Sequence, residues 1–132
     1  MPGTTIRPFL MFEGKAEEAM SLYVSLFPES RIESINRYGR EGPGPEGTVQ
    51  LASFTLAGQT AMCIDSPAKH TFTFTPSFSF FVDLKTEEEL ERIAAILGKD
   101  GAVLMPLDNY GFSRKFTWLN DRFGVSWQLN LQ

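Results

Sequence analysis

One pattern of strand, helix and three strands occurs twice in this chain, with an offset of 70 residues. The apolar stripe Met20, Tyr23, Val24 and Phe27 becomes Leu90, Ile93, Ala94 and Leu97 when 70 is added. The charged residues that open the first stripe, Lys15, Glu17 and Glu18, map onto Lys85, Glu87 and Glu88. A period this long, occurring only twice, marks a duplicated module rather than a solenoid. Each copy supplies one helix, enough to cover one face of a sheet. The opposite face is left for solvent, for packing or for a ligand.

The elements follow from period and punctuation. In the first copy, Ile6 to Phe12 reads as a short strand, with Pro8 restricting it to an edge or an early strand position. Lys15 to Phe27 has helical spacing, with Glu17 and Glu18 in the first turn and Pro28 as the stop. Arg31 to Tyr38 is a strand, and Gly39 to Gly47 a mobile loop. Thr48 to Leu56 and Thr60 to Asp65 form a hairpin. In the second copy, Ser77 to Leu84 is a strand with Phe78, Phe80 and Val82 on one face. Thr86 and Glu89 make a capping box, and Gly98 stops the helix. Ala102 to Met105, Phe112 to Leu119 and Val125 to Leu131 complete the copy. One domain over 1–132 is expected, with module one at about 4–66, a linker at 67–76 and module two at 77–132.

The last strand poses the functional question. Val125, Trp127, Leu129 and Leu131 fall on one side, and Ser126, Gln128, Asn130 and Gln132 on the other. If the first set packs beneath the helix, the second faces a cavity. Composition removes several alternatives. The net charge is −4 and no Lys/Arg cluster is present, which argues against nucleic acid. No apolar run approaches the ~20 residues needed to span a membrane. The start of the chain lacks signal-peptide character, and Cys63 is the only cysteine, so a cytoplasmic location is expected. Twelve Phe residues suggest a β-rich aromatic interior.

Two such modules resemble the vicinal-oxygen-chelate superfamily, which includes glyoxalase I, bleomycin-resistance proteins and extradiol dioxygenases. Three phrases are similar to its PhnB-like branch, often labelled "3-demethylubiquinone-9 3-methyltransferase domain". They are Pro8 to Tyr23 (PFLMFEGKAEEAMSLY), Phe72 to Pro76 (FTFTP) and Asp121 to Gln128 (DRFGVSWQ). The resemblance implies an α+β fold, with two tandem βαβββ modules forming cupped mixed sheets and helices outside. It also implies a homodimer. In metal-using members, four strand positions supply His, Gln or Glu ligands. Those positions align here with Arg7, Met62, Ser77 and Gln128. An obligate cation, a thioether, a hydroxyl and one amide do not make a divalent-metal site. No cofactor is therefore expected.

The reading that follows is a metal-free cup binding a small organic molecule. Phe9, Met11, Met62 and Trp118 are its candidate walls, and Arg7, Ser77 and Gln128 its polar anchors. Arg7 would favour an anionic or carbonyl-bearing ligand. Each candidate also has a plainer role: Phe9 and Met11 in a core or dimer contact, Trp118 in the core, Gln128 in solvent. Trp127 is expected in the core, and Asp121 in its own turn. Arg114 and Lys115 are anion anchors or a solvated strand face. An alternative is a superfamily lyase, isomerase or oxygenase. It would need a base, and Asp65 or His70 would have to point into the cup. Methyl transfer is disfavoured, because the Gly-rich stretch 39–47 joins two strands rather than leading into a helix.

Overall fold

The computed structural model describes residues 3–132; Met1 and Pro2, at the start of the segment read for leader character, lie outside the described residues. The elements are β1 (Phe9–Phe12), α1 (Ala16–Leu26), β2 (Arg31–Arg37), β3 (Val49–Leu56) and β4 (Gln59–Asp65). After them come β5 (Ser79–Leu84), α2 (Glu87–Gly98), β6 (Ala102–Asp108), β7 (Phe116–Asn120) and β8 (Ser126–Leu131). The chain divides into two compact units between Thr71 and Phe72. Each unit builds one four-stranded sheet, in the orders β1-β4-β3-β2 and β5-β8-β7-β6. In both, the first strand pairs in parallel with the last, and the other pairs are antiparallel. The duplicated α+β module expected from the 70-residue offset is therefore present, down to strand order.

In the first unit, α1 packs on β2, β3 and β4. It buries Ala16, Ala19, Met20, Tyr23 and Leu26 against a sheet face made of Leu10, Phe12, Ala52, Phe54, Ala61 and Cys63. Each large apolar side chain buried there contributes about 1.5–3 kcal/mol. The N-cap residue of α1 is Lys15, whose side chain makes no capping hydrogen bond. Asp65, at the end of β4, takes that role. Its Oδ1 accepts from the amides of Gly14 at 2.7 Å and Ala16 at 2.9 Å, and its Oδ2 from Val49 N at 2.9 Å. One carboxylate thus ties together the starts of α1 and β3. The turn into α1 requires Gly14, whose φ of +104° is costly for any other residue.

The loop 39–47, expected to be mobile from its Gly and Pro content, is anchored on Tyr38. The Tyr38 hydroxyl donates to the Asp65 carbonyl at 2.9 Å, and Gly47 N donates to the Tyr38 carbonyl at 3.0 Å. Gly44 lies against the ring, where a Cβ would stand 2.6 Å from the nearest ring carbon.

In the second unit, α2 packs on β5, β7 and β8. Its stripe Leu90, Ile93, Ala94 and Leu97 is buried, as the repeat requires. Thr86 Oγ1 accepts from Glu89 N at 3.2 Å, the backbone half of the capping box. The sheet face beneath carries Leu119, Trp127, Leu129 and Leu131, all buried, and the Phe80 ring lies 4.8 Å from Trp127. Asp121 organises the β7–β8 turn: Oδ1 accepts from Phe123 N and Val125 N, and Oδ2 from the Trp127 indole at 2.9 Å.

Several strand boundaries differ from the sequence expectation. β1 starts at Phe9, not Ile6, because the ladder begins just after Pro8, whose carbonyl accepts from Met62 N. β5 starts at Ser79, not Ser77. β6 continues past Met105 to Asp108 and includes Pro106, which is tolerated on an edge strand where the register slips between Met105 and Asp108. β7 starts at Phe116, not Phe112, because side-chain turns claim the preceding residues. Gly111 N donates to Asn109 Oδ1, and Lys115 N to Ser113 Oγ.

Candidate functional site

Alternation decides which side chains each sheet turns away from its helix. On the first sheet, register places Phe9 beside Met62 and Met62 beside Ser53, with Met11 beside Ile64. Phe9 is 53% exposed and Met11 39%. Three candidate wall residues, Phe9, Met11 and Met62, thus share one face, apolar over β1 and β4 and polar toward β2, where Ser53 meets Ser34.

The corresponding face of the second sheet is a polar grid edged by aromatic rings. Gln128 on β8 stands between Phe81 on β5 and Trp118 on β7; Ser126 stands between Ser79 and Asn120, and Asn130 between Asp83 and Phe116. The Trp118 indole N–H donates to Ser126 Oγ at 2.9 Å, the Ser126 and Ser79 hydroxyls are 2.6 Å apart, and Gln128 Nε2 reaches Ser79 Oγ at 3.4 Å. Asn130 Nδ2 donates to Asp83 Oδ1 at 2.8 Å. Among the described residues, the buried Oδ1 atoms of Asn120 and Asn130 meet no protein donor.

The aromatic edge starts at Phe116, which is buried. The Phe112 ring meets it edge-on at 4.9 Å, Tyr110 at 6.1 Å, and Phe81 lies at 6.3 Å. Residues 109–115 therefore bring their rings over this end of the sheet. The Tyr110 hydroxyl, bonded to the Pro106 carbonyl at 2.6 Å, holds them there.

Among the candidate residues, Trp118 and Gln128 become neighbours. Arg7 and Ser77 lie in exposed segments before β1 and β5, and the Ser77 hydroxyl is 2.6 Å from that of Thr75. Asn130 shares the Gln128 face as the alternation of the last strand indicated; Ser79, Phe81 and Asp83 share it too but were not singled out. The repeat itself contained the signal for two of them: adding 70 to Phe9 and Met11 gives Ser79 and Phe81.

The groups weighed as bases sit elsewhere. Asp65 is on the helix side of its sheet, its carboxylate occupied by three backbone amides. His70 lies off the strands, with Nε2 2.8 Å from Ser66 Oγ. Cys63 is fully buried, and burial, with the Asp65 charge adding to it, pushes its thiol from 9.0 up to about 12. Such a thiol is inert. Arg114 donates to the Gln132 carbonyl at 3.0 Å, and Lys115 pairs with Glu91.

The donor set does not fit a divalent metal. Gln128 sits between Phe81 and Trp118 with its amide nitrogen turned to Ser79. Among the described residues, no three His, Cys, Asp or Glu side chains are grouped so that they could hold a metal ion. Neither helix start is open to an anion: the α1 N-terminus is filled by the Asp65 carboxylate, and Glu87, Glu88 and Glu89 occupy the first turn of α2.

A family model described as 3-demethylubiquinone-9 3-methyltransferase matches residues 4–130. The chain belongs to that family. It is 60% identical to a PhnB protein from Bacillus cereus, provisionally named as that methyltransferase. The TM-score is 0.95, and the alignment covers 98% of this chain and 100% of the other. A protein from Pseudomonas aeruginosa is 26% identical, with a TM-score of 0.83 and 98% of each chain covered. A glyoxylase/bleomycin resistance protein/dioxygenase domain from Frankia shares the fold at 12% identity, with a TM-score of 0.64 over 99% of this chain and 98% of the other. Among curated proteins, none matches. The PhnB-like membership and the glyoxalase/bleomycin-resistance fold that the sequence phrases pointed to are thereby shown. No helix among the described residues is long and apolar enough to cross a membrane.

Proposed function

We propose that this PhnB-like protein binds a small organic molecule on the helix-free face of its second sheet, without the divalent metal used by other members of the superfamily. The observation that carries this reading is the ordered array around Gln128. Four side chains, Trp118, Ser126, Ser79 and Gln128, are linked by hydrogen bonds on a face that α2 leaves uncovered, beside the half-exposed Phe81 ring. Concave sites combine apolar walls with a few fixed polar groups in this manner. The family's methyltransferase description finds no support in these residues, and binding requires neither a metal nor a placed base.

The two tryptophans supply the test. Trp118 donates from the helix-free face, while Trp127 donates to Asp121 inside the core. In a fragment screen read by the two indole N–H resonances, binders shift Trp118 and leave Trp127 in place. A screen in which no fragment moves Trp118 would overturn the reading. Stoichiometric metal in purified protein, surviving a chelator-treated control, would overturn its metal-free part.

The proposal includes a homodimer. Phe9, Met11 and Leu51 are exposed on the same face of the first sheet, an apolar surface that a second copy of the chain would cover. Light scattering is expected to give about twice the 14.8 kDa chain mass.

A further inference from the structure

We propose that the helix-free face of the second sheet selects ligands that bring a cationic or N–H-donating head on a flat ring, and discriminates against carboxylates and phosphates of the same size. This rests on the reading of that face as the binding site and adds the charge of what it holds.

Three observations carry it. The first is composition by strand. β5, β6, β7 and β8 contain no Lys or Arg, and their only charges are Asp83 and Asp108. Asp83 shares a face with Gln128 and is exposed. Of the cations in nearby segments, Lys115 pairs with Glu91, Arg114 donates to the Gln132 carbonyl and Arg122 lies over the Phe123 ring, while Lys85 and Lys99 stand exposed just beyond β5 and before β6.

The second is the direction of the amides. The carboxylate of Asp83 only accepts, so Asn130 must turn its Nδ2 toward it, and its Oδ1 points the other way. That oxygen and Asn120 Oδ1 are buried and, among the described residues, meet no protein donor. Uncompensated carbonyl dipoles in a poorly solvated place add to the negative potential of Asp83. Gln128 likewise spends its donor nitrogen on Ser79.

The third is the set of rings. Phe81 is 56% exposed, and Trp118, part-exposed, flanks Gln128 on the other side. Aromatic faces attract cations and stack on flat ligands. An anion here would meet a carboxylate, carbonyl oxygens and π-faces, with no strand cation to offset them.

The test uses two probes that share a ring and differ in charge, benzamidine and benzoate, titrated into the full chain and read at the Trp118 and Trp127 indole N–H resonances. Benzamidine is expected to shift Trp118 saturably, with an affinity about tenfold or more above that of benzoate, the size of one partly screened charge contact. Asp83→Asn keeps an acceptor for Asn130 and should remove most of that preference, with an unchanged near-ultraviolet circular dichroism spectrum. Benzoate binding as well as benzamidine would overturn the charge preference while leaving the face as a binding site. An undiminished preference in Asp83→Asn, or no shift of Trp118 with benzamidine, would also overturn it. The fragment screen separately decides whether the face binds anything.

Discussion

Two buried carboxylates do for this chain what helix caps and turn residues do elsewhere. Asp65 and Asp121 are each 3% exposed, and each accepts from three N–H groups. A carboxylate so placed repays its desolvation only while its donors stay aligned. Asp65→Ala leaves the amides of Gly14, Ala16 and Val49 without their acceptor, so urea unfolding should show a loss of about 3–5 kcal/mol. Asp65→Asn retains one acceptor oxygen and should lose less.

Cys63 gives a pH prediction at the same scale. Its folded thiol titrates near 12, against an ordinary 9.0. Between those values the unfolded chain releases a proton that the native chain keeps, so stability falls as pH rises. The contribution is complete below pH 9 and gone above pH 12. Cys63→Ala should flatten the alkaline limb of the stability curve relative to the parent, and native protein should resist thiol reagents at pH 8.

The elements differ in how much of them is local. The cap at Thr86 is local, its hydroxyl accepting from Glu89 N three residues on; the sequence pattern marks it, and the structure shows that half of the capping box. Thr86→Ala should cost about 1 kcal/mol, a single lost cap. The start of α1 has no such local signal, because its cap comes from Asp65, 49 residues beyond Ala16. Gly101 is a third kind of case. A Cβ there would stand 2.1 Å from the Asn120 carbonyl oxygen, which is backbone and has little room to move. Gly101→Ala should therefore destabilise by more than a cap deletion, about 2–4 kcal/mol, because β6 must shift away from β7. Thermal unfolding of the two variants side by side checks the order.

At the scale of the whole molecule, duplication explains both what the two units share and how they differ. Strand order, parallel closure and the covering helix are the same in both. The helix-covered faces are constrained by packing and stayed apolar. The helix-free faces carry no such constraint and have diverged. Along the parallel pair of strands, one carries Phe9, Met11, Met62 and Ile64, the other Ser79, Phe81, Asp83, Ser126, Gln128 and Asn130. Under the proposed function the two faces divide the labour, the first serving association and the second a ligand. Phe9→Glu should weaken the proposed dimer in light scattering, and Phe81→Ala should reduce fragment binding at Trp118 while the mass stays that of the parent.

The sequence by itself determined the duplicated module, the second helical stripe, most of the first (Leu26 is buried where Val24 was expected) and the apolar side of the last strand. These are carried by period and by residue type, which act over a few neighbours. Trp127 in the core was legible for the same reason. Tertiary structure alone decided the partners. Parallel pairing set Ser79 and Phe81, rather than Ser77, beside the last strand, because the ladder begins only after the turn residues that precede β5. It also turned Asp65 toward α1 and away from any ligand, and set Asp83 against Asn130 across 47 residues. Such contacts depend on register between strands distant in the chain, and no local pattern encodes that register. Gln128 was identifiable from the sequence alone, whereas the negative, aromatic-edged surroundings that give it a chemical preference exist only once the sheet has formed.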